Sequence, residues 1–493
     1  MKYVYMKKRV FACLMTAVLL IAFLPAPVGA SAVSNDSGST EADTEITWPS
    51  GPKKSSITAA SAIVMDVDTG TILYQKKMDT KHYPASITKI MTTLLALENS
   101  SMDEIVTYSA EDVYGIERGS SNISIEVDEQ LTMEQSLYGI MLESANEACL
   151  GVARHVGGTK EHFVEMMNEK AAELGCVNTH FANPNGLHDD EHYTTCHDMA
   201  LIAQAAFQNE TFRTITGTKA YTIPKTNKKK VVRDYIKNHH QMLNPYTYRQ
   251  YYYPDCIGGK TGYTTKAEST LVTYARRNDM TLVCVVMKAK GPKQDRQHNE
   301  YTDTSLLLDY CFEHFKTVDL SAGLDTENDT TPFFSKYTEL FDRTKSPIHL
   351  SSTNKVTLPA DADTSLVARK ISYTDNVSIQ TGDNVIGSVS YTYGNQSVGS
   401  SEIIFTKSEG SSGITTALTE STKNTSSSQN KHHIPVPFMI CITIAVLFVI
   451  LLLYHFLFLS PRRKRAARHY AQRRSRALMQ SKSLSDFDLN RKR

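Results

Sequence analysis

The tetrapeptide Ser86-Ile-Thr-Lys89 stands directly before an apolar stretch, Ile90-Met-Thr-Thr-Leu-Leu-Ala-Leu97. Pro84 biases the residue before it away from helix, so the pattern predicts a helix that begins near Ser86. A hydroxyl and an amine one helical turn apart project from the same helix face. A neutral Lys89 could therefore take the Ser86 proton and activate that hydroxyl as a nucleophile.

Two further short motifs follow, Ser144-Ala-Asn146 and Lys260-Thr-Gly262. A hydroxyl and an amide two residues apart cannot share a regular helix face, but they can converge from a turn between helices. We expect Ser144 to relay a proton to a leaving group. We expect Asn146 to hold either a substrate amide or Lys89.

The third motif fits an edge strand whose Lys260 and Thr261 bind a carboxylate, while Gly262 lets a ligand approach the backbone. The backbone N–H of Tyr263, with that of Ser86, would form an oxyanion hole. We also expect burial and the Lys260 charge to lower the pKa of Lys89.

Each motif alone has an ordinary structural interpretation as a helix cap, a solvated lysine or a polar turn. Their order S-x-x-K, S-x-N, K-T-G resembles that of the penicillin-recognising serine enzymes. Three further segments make the resemblance more specific. They are Asn183-Pro-Asn-Gly-Leu-His188, His192-Tyr-Thr-Thr195 and Asp198-Met-Ala200. They make residues 57 to 315 similar to the low-molecular-mass penicillin-binding proteins, which are serine-type D-alanyl-D-alanine carboxypeptidases.

The resemblance implies an α+β catalytic domain of the DD-peptidase and β-lactamase type, an antiparallel sheet with a helical subdomain, followed by a small all-β domain. It implies that peptidoglycan stem peptides are the substrate, that β-lactam antibiotics are covalent inhibitors, and that no metal or cofactor is required. The roles that it implies fall on Ser86, Lys89, Ser144, Asn146, Lys260 and Thr261. A family arginine on the last strand-to-helix connection has Arg296 as its candidate here.

The sequence departs from the family pattern at two positions. Glu147 stands where aspartate is usual after the second motif, and Ala267-Glu268 replaces Ala-Gly after the third. A family aspartate matches Asp198, for which we expect a structural role.

The arrangement of periodic segments also predicts an α+β fold. Strand-like residues 62–66 and 71–74 come first, helical periodicity dominates residues 86–206, and strands return from Tyr221 before a helix over residues 304–315. Strands at both ends of such a domain are expected to share one sheet.

Composition divides the chain of 493 residues into seven predicted segments. They are a signal peptide (1–32), a disordered linker (33–56), the catalytic domain (57–316), a small β-rich domain (317–407), a flexible Ser/Thr-rich tether (408–435), a transmembrane helix (436–459) and a basic cytoplasmic tail (460–493). The basic residues after the apolar run predict that the tail stays inside and that the catalytic domain lies outside. The lipid bilayer is therefore an expected partner, at a bacterial cell membrane.

The formal net charge of +1 gives no case for nucleic-acid binding, because the basic residues concentrate in the tail. Six of the eight cysteines lie between the two apolar runs without metal-ligand spacing, and we expect mostly small buried thiols.

Two alternative functions stay open. One is a β-lactamase, which needs a general base for deacylation, with Asp189, Asp190 and Glu191 nearby in sequence. The other is a catalytically silent, wall-binding membrane protein.

Overall fold

The computed structural model describes residues 46–407, except 247–248, 291–297, 321–347, 352–354 and 375–376. The predicted signal peptide, tether, transmembrane helix and basic tail, and the candidate Arg296, lie outside the described residues. Within the described part of the chain, no helix has the length and apolar character needed to cross a membrane.

The helices and strands are numbered in chain order. The strands are β1 (Ser61–Asp66), β2 (Ile72–Lys76), β3 (Ile105–Thr107), β4 (Gln130–Thr132), β5 (Ala220–Ile223), β6 (Arg233–Lys237), β7 (Cys256–Thr264), β8 (Glu268–Arg277), β9 (Met280–Ala289), β10 (Phe315–Asp319), β11 (Ile348–Leu350), β12 (Lys355–Pro359), β13 (Val367–Tyr373), β14 (Gly382–Tyr393) and β15 (Gln396–Lys407). The α-helices are α1 (Lys89–Asn99), α2 (Ala110–Tyr114), α3 (Met133–Leu142), α4 (Asn146–Gly157), α5 (Lys160–Glu173), α6 (Cys196–Gln208), α7 (Glu210–Gly217) and α8 (Asn299–His314).

A five-stranded antiparallel sheet forms the centre of the catalytic part, in the order β2-β1-β9-β8-β7. It joins the first hairpin to the last three strands of the domain, so the α+β prediction is confirmed. β1 is buried along its whole length and β9 along nearly all of it, which is the pattern of strands covered on both faces. The edge strand β7 carries the third motif, as the sequence predicted.

The helical subdomain packs around α1, which is buried from Lys89 to Ala96. Its apolar side chains belong to one cluster with the inner face of the sheet, while α8 packs on the other face. Side-chain caps fix where the surrounding helices begin. Thr132 and Gln135 form a reciprocal capping box at α3, and the Thr195 hydroxyl caps α6. These caps fix the N-terminal ends of α3 and α6.

The described residues fall into two compact units. The first contains the catalytic part together with residues 355–370 and 389–401, and within it β10 pairs with β12. Buried Asp66 holds this pair, because Thr357 Oγ1 and Thr317 Oγ1 donate to its Oδ2 over 3.0 and 3.3 Å. In the second unit β11 pairs with the end of β15, where Ile348 is opposite Phe405.

Candidate active site

Ser86 lies in a short 3-10 turn, Ala85–Thr88, that leads directly into α1. Ala85, the residue before it, has a φ of +53°, a left-handed conformation that is unfavourable for a side chain. The turn is braced because Thr88 Oγ1 donates to the Ala85 carbonyl over 2.8 Å and lies 2.8 Å from His192 Nε2. Strain that the surroundings hold in place is common at functional sites.

Lys89 is fully buried, and its Nζ contacts three oxygens. They are Ser86 Oγ at 2.9 Å, Asn146 Oδ1 at 2.8 Å and the Asn185 carbonyl at 2.5 Å. A neutral amine has two N–H groups and one lone pair. It can donate to the two amide oxygens, which cannot donate to it, and accept from the Ser86 hydroxyl. The geometry thus fits a base aimed at the Ser86 proton.

Burial lowers the pKa of Lys89, which favours this neutral form. Glu147 and Cys149 act in the opposite sense and are weaker. Burial is the main cause of this shift, and the contribution that we expect from the Lys260 charge stays a prediction. Burial and, second, repulsion by the Lys89 charge lower the pKa of Lys260 to about 7.

Ser144 lies in the turn between α3 and α4, as the sequence predicted, with a φ of +60°. Asn146 begins α4, so the turn directs both side chains toward Lys89 and Lys260. Lys260 Nζ is 3.2 Å from Ser144 Oγ and donates to the Thr261 carbonyl over 2.9 Å. The structure therefore brings the side chains of all three motifs into one group, in which hydrogen bonds join Ser86, Lys89 and Asn146 in one set and Ser144 and Lys260 in another.

A cleft of about 790 Å³ opens above this group. Ser86, Ser144, Asn146, Thr261 and Tyr263 all line it. Gly262 lies against the nucleophile turn, because a Cβ at that position would stand 2.9 Å from the Ser86 nitrogen and 2.3 Å from Thr270 Oγ1. The backbone at residues 262–263 thus runs beside the Ser86 N–H, where the oxyanion hole was predicted.

Sequence reasoning missed two residues that hold the nucleophile turn and its lysine. Asn185 presents its carbonyl to Lys89, and His192 is buried next to Thr88. The Ala182 N–H donates to His192 Nδ1 over 3.0 Å, so His192 Nε2 carries the proton and donates to Thr88. Burial lowers the pKa of His192 to about 3 and keeps it neutral. Both residues stand in segments that carried the family resemblance, which was the only signal for them.

Two other residues singled out in the sequence, Asp198 and Glu147, have structural roles. Asp198 Oδ2 accepts from the Asn178 N–H at 2.8 Å and from Thr179 Oγ1 at 2.7 Å, away from the reacting groups. Glu147 is buried, and its Oε1 accepts from the Ile123 N–H at 2.7 Å. Burial raises the pKa of Glu147. Glu147 therefore holds the loop that carries the cleft residues Ser120 and Ser121.

The carboxylates weighed as a β-lactamase base are exposed and do not line the cleft. They are Asp189, Asp190 and Glu191. The six cysteines of the described region are free thiols, five of them buried, as expected. No group of three His, Cys, Asp or Glu side chains suited to hold a metal occurs in the described ranges.

Comparison with known proteins decides the family. Residues 48–291 match the family described as D-alanyl-D-alanine carboxypeptidase. The D-alanyl-D-alanine carboxypeptidase of a Streptomyces strain is 34% identical over 271 residues, which cover 52% of this chain and 89% of that protein. The chain belongs to the D-alanyl-D-alanine carboxypeptidase family. The resemblance drawn from the sequence motifs is therefore confirmed.

Two further relatives extend the comparison of this family member. D-alanyl-D-alanine carboxypeptidase DacF of Bacillus subtilis is 34% identical over 264 residues, covering 52% of this chain and 63% of DacF. The match thus spans less than two thirds of DacF. The crystal structure of penicillin binding protein 5 from Haemophilus influenzae shares the fold, with a TM-score of 0.53 at 24% identity, over 71% of this chain and 97% of that chain.

Proposed function

We propose that this protein is a serine DD-carboxypeptidase that removes the terminal D-alanine from peptidoglycan stem peptides and binds penicillins covalently. The observation that carries the proposal is the buried Lys89 Nζ, 2.9 Å from Ser86 Oγ and held by two amide oxygens. Family membership supports the substrate class, since the relatives are named for this activity.

Acylation begins when Ser86 Oγ attacks the carbonyl carbon between the two D-alanines, while Lys89 takes the hydroxyl proton. The negative oxygen of the tetrahedral intermediate would be stabilised by the backbone N–H groups of Ser86 and Tyr263. The 3-10 turn at Ala85–Thr88 supports this role, because it places Ser86 at the start of α1, where backbone N–H groups are not used within the helix.

The carbon–nitrogen bond then breaks, and the leaving amine needs a proton. We infer that Ser144 Oγ gives its proton to the amine and takes up the proton that Lys89 received, so that Lys89 is neutral again. Lys260 Nζ lies 3.2 Å from Ser144 Oγ and supports this role by holding the hydroxyl in place. Water next hydrolyses the acyl-enzyme, with Lys89 again as the base. A β-lactam would form the same ester with Ser86, but its ring opens without a departing fragment, so hydrolysis would be slow.

The proposal is tested by incubating the purified full-length chain with a stem pentapeptide and measuring free D-alanine. We expect release by the wild type and by Ser100→Ala, a serine at the end of α1 outside the cleft. We expect no release by a folded Ser86→Ala variant. Release that persists in Ser86→Ala would refute the assignment of the nucleophile.

We infer further that the protein is exported and anchored in the cell membrane by residues 436–459, with its tail inside. The support is the sequence alone, namely the uninterrupted apolar run and the Arg462-Arg-Lys-Arg465 cluster directly after it. A reporter that is active only in the cytoplasm should be active when fused after Arg493. The same reporter fused after residue 435 should be inactive, and the opposite pattern would overturn the orientation.

A further inference from the structure

The loop of residues 119–124, which we call the cleft loop, lines the cleft with its first three residues. Ala145, the residue before α4, makes no side-chain cap, and the Asn146 N–H donates instead to the Ser121 carbonyl over 2.9 Å. An N–H at a helix start has no partner within the helix, so this contact fixes where α4 begins. Because the Asn146 side chain contacts Lys89, the cleft loop also fixes one contact of the base.

The cleft loop is held at Ile123, a fully buried residue, by two charged side chains. The Ile123 N–H donates to Glu147 Oε1 over 2.7 Å, and the Ile123 carbonyl accepts from Arg233 Nε over 3.0 Å. Arg233 Nη2 also donates over 3.2 Å to the carbonyl of Ser124, whose φ of +57° is unfavourable for a side chain. A strained conformation persists only where the surroundings hold it. Glu147 binds Ile123 from α4 and Arg233 binds it from β6, so the cleft loop is fixed between these two elements.

Glu129 sets the direction of the Arg233 guanidinium. Both Glu129 oxygens lie 2.8 Å from Arg233 Nη2, and the side chains of Glu129 and Arg233 are 0% and 4% exposed. The same oxygens accept from the Thr226 hydroxyl over 2.7 Å and from the Glu126 N–H over 2.9 Å, which holds the carboxylate in place. A buried ion pair adds little net stability, because both ions lose their hydration. The pair instead fixes geometry, since it leaves Nε directed at the Ile123 carbonyl.

We propose that Arg233 is a positioning residue for acylation, which acts on the base Lys89 through the cleft loop and Asn146. Arg233 is buried and does not belong to the described lining of the cleft, so its effect on the reaction passes through other residues. Loss of its contact to Ile123 would free the cleft loop, and the Asn146 amide would no longer be held against Lys89. A misplacement of about 1 Å in a catalytic contact can cost on the order of 100-fold in rate. This inference rests on the proposed function, since the reaction that it positions is the attack by Ser86.

The test is a double-mutant cycle on the full-length chain, with the rate of labelling by a fluorescent penicillin as the measurement. Arg233→Lys keeps the positive charge but lacks the planar fork that reaches two backbone carbonyls. We expect it to slow labelling about tenfold in the otherwise unchanged protein, the effect of one lost charged contact. In the Asn146→Ala background it should change the rate by less than about twofold, because the contact through which it acts is already gone.

A second variant separates positioning from stability. Arg233→Met combined with Glu129→Gln removes the buried charges and keeps an oxygen for the Glu126 N–H, so the protein should stay folded, as thermal unfolding would show. Labelling should still be about tenfold slower than in the wild type, and only while Asn146 is present.

The matched control is Arg213→Lys. Arg213 donates to the Phe207 and Gln208 carbonyls between α6 and α7, and its replacement should leave the rate unchanged in both backgrounds. An equal loss from Arg233→Lys in both backgrounds would overturn the inference, because it would show that Arg233 does not act through Asn146. A wild-type rate that neither Arg233 variant lowers would overturn it as well. Absence of penicillin labelling in the wild type would instead refute the proposed function, and the inference with it.

Discussion

Lys260→Ala gives a prediction whose size follows from the structure. Lys260 Nζ is fully buried, and burial together with the Lys89 charge lowers its pKa to about 7. A lysine with a lowered pKa carries its charge below that pH and loses it as the pH rises. About nine tenths of the Lys260 side chains are charged at pH 6 and about one tenth at pH 8. The benefit of this charge to acylation should decline over the same range.

Two effects act in the same direction in the variant. Loss of the charge-assisted contact to a penicillin carboxylate should cost about 1.5–3 kcal/mol at low pH. Removal of a neighbouring cation should also raise the pKa of Lys89, which slows acylation most at low pH. The ratio of the wild-type to the Lys260→Ala acylation rate should therefore fall about five- to tenfold between pH 6 and pH 8 as Lys260 loses its charge.

The assay is the second-order rate of labelling by a fluorescent penicillin, measured from pH 6 to pH 9 on folded proteins. Lys266→Ala removes an exposed lysine just beyond β7 and should match the wild type throughout. The arginine of the Lys260→Arg variant stays charged over this pH range. The ratio of the Lys260→Arg rate to the Lys260→Ala rate should therefore not fall with pH as the wild-type ratio does. A ratio of wild type to Lys260→Ala that stays constant over this range would refute the charge-based role of Lys260.

Three further substitutions test the site and its support. Asn146→Ala removes one of the oxygens that hold Lys89 and should slow penicillin acylation roughly 10- to 100-fold, and an unchanged labelling rate would contradict the base geometry. Glu268→Gly replaces a residue with a φ of +57° and should raise the free energy of unfolding by about 0.5–1 kcal/mol in urea titration. A loss of stability would show that the Glu268 side chain makes contacts worth more than the strain. Asp198→Ala leaves the Asn178 N–H without an acceptor and should destabilise the fold by about 1–3 kcal/mol without moving the pH profile of acylation.

Much of the fold could be predicted because its signals are local. The strand-like residues 62–66 and 71–74 predicted the first hairpin, and the helical periodicity of residues 86–206 predicted the helical subdomain around α1. Predicted helix starts were less accurate. The last helix begins at Asn299 rather than near Thr304, because its first turn is polar and gives no apolar period.

The three motifs placed the reacting side chains, since each carries its spacing in the sequence. Their supporting contacts could not be read in the same way. Asn185 acts through a backbone carbonyl, which any residue possesses, so its position opposite Lys89 follows only from tertiary packing. The lowered pKa of Lys89 depends mainly on burial, and the degree of burial is likewise decided by tertiary packing.

The most direct test of the account is the mass of the full-length chain after brief exposure to benzylpenicillin, followed by mapping of the modified peptide. The account predicts that one penicilloyl group is added, that it is located on Ser86, and that folded Ser86→Ala gains no mass. A stable adduct on another residue, or an equal adduct on Ser86→Ala, would contradict the claim that Lys89 activates Ser86 for nucleophilic attack.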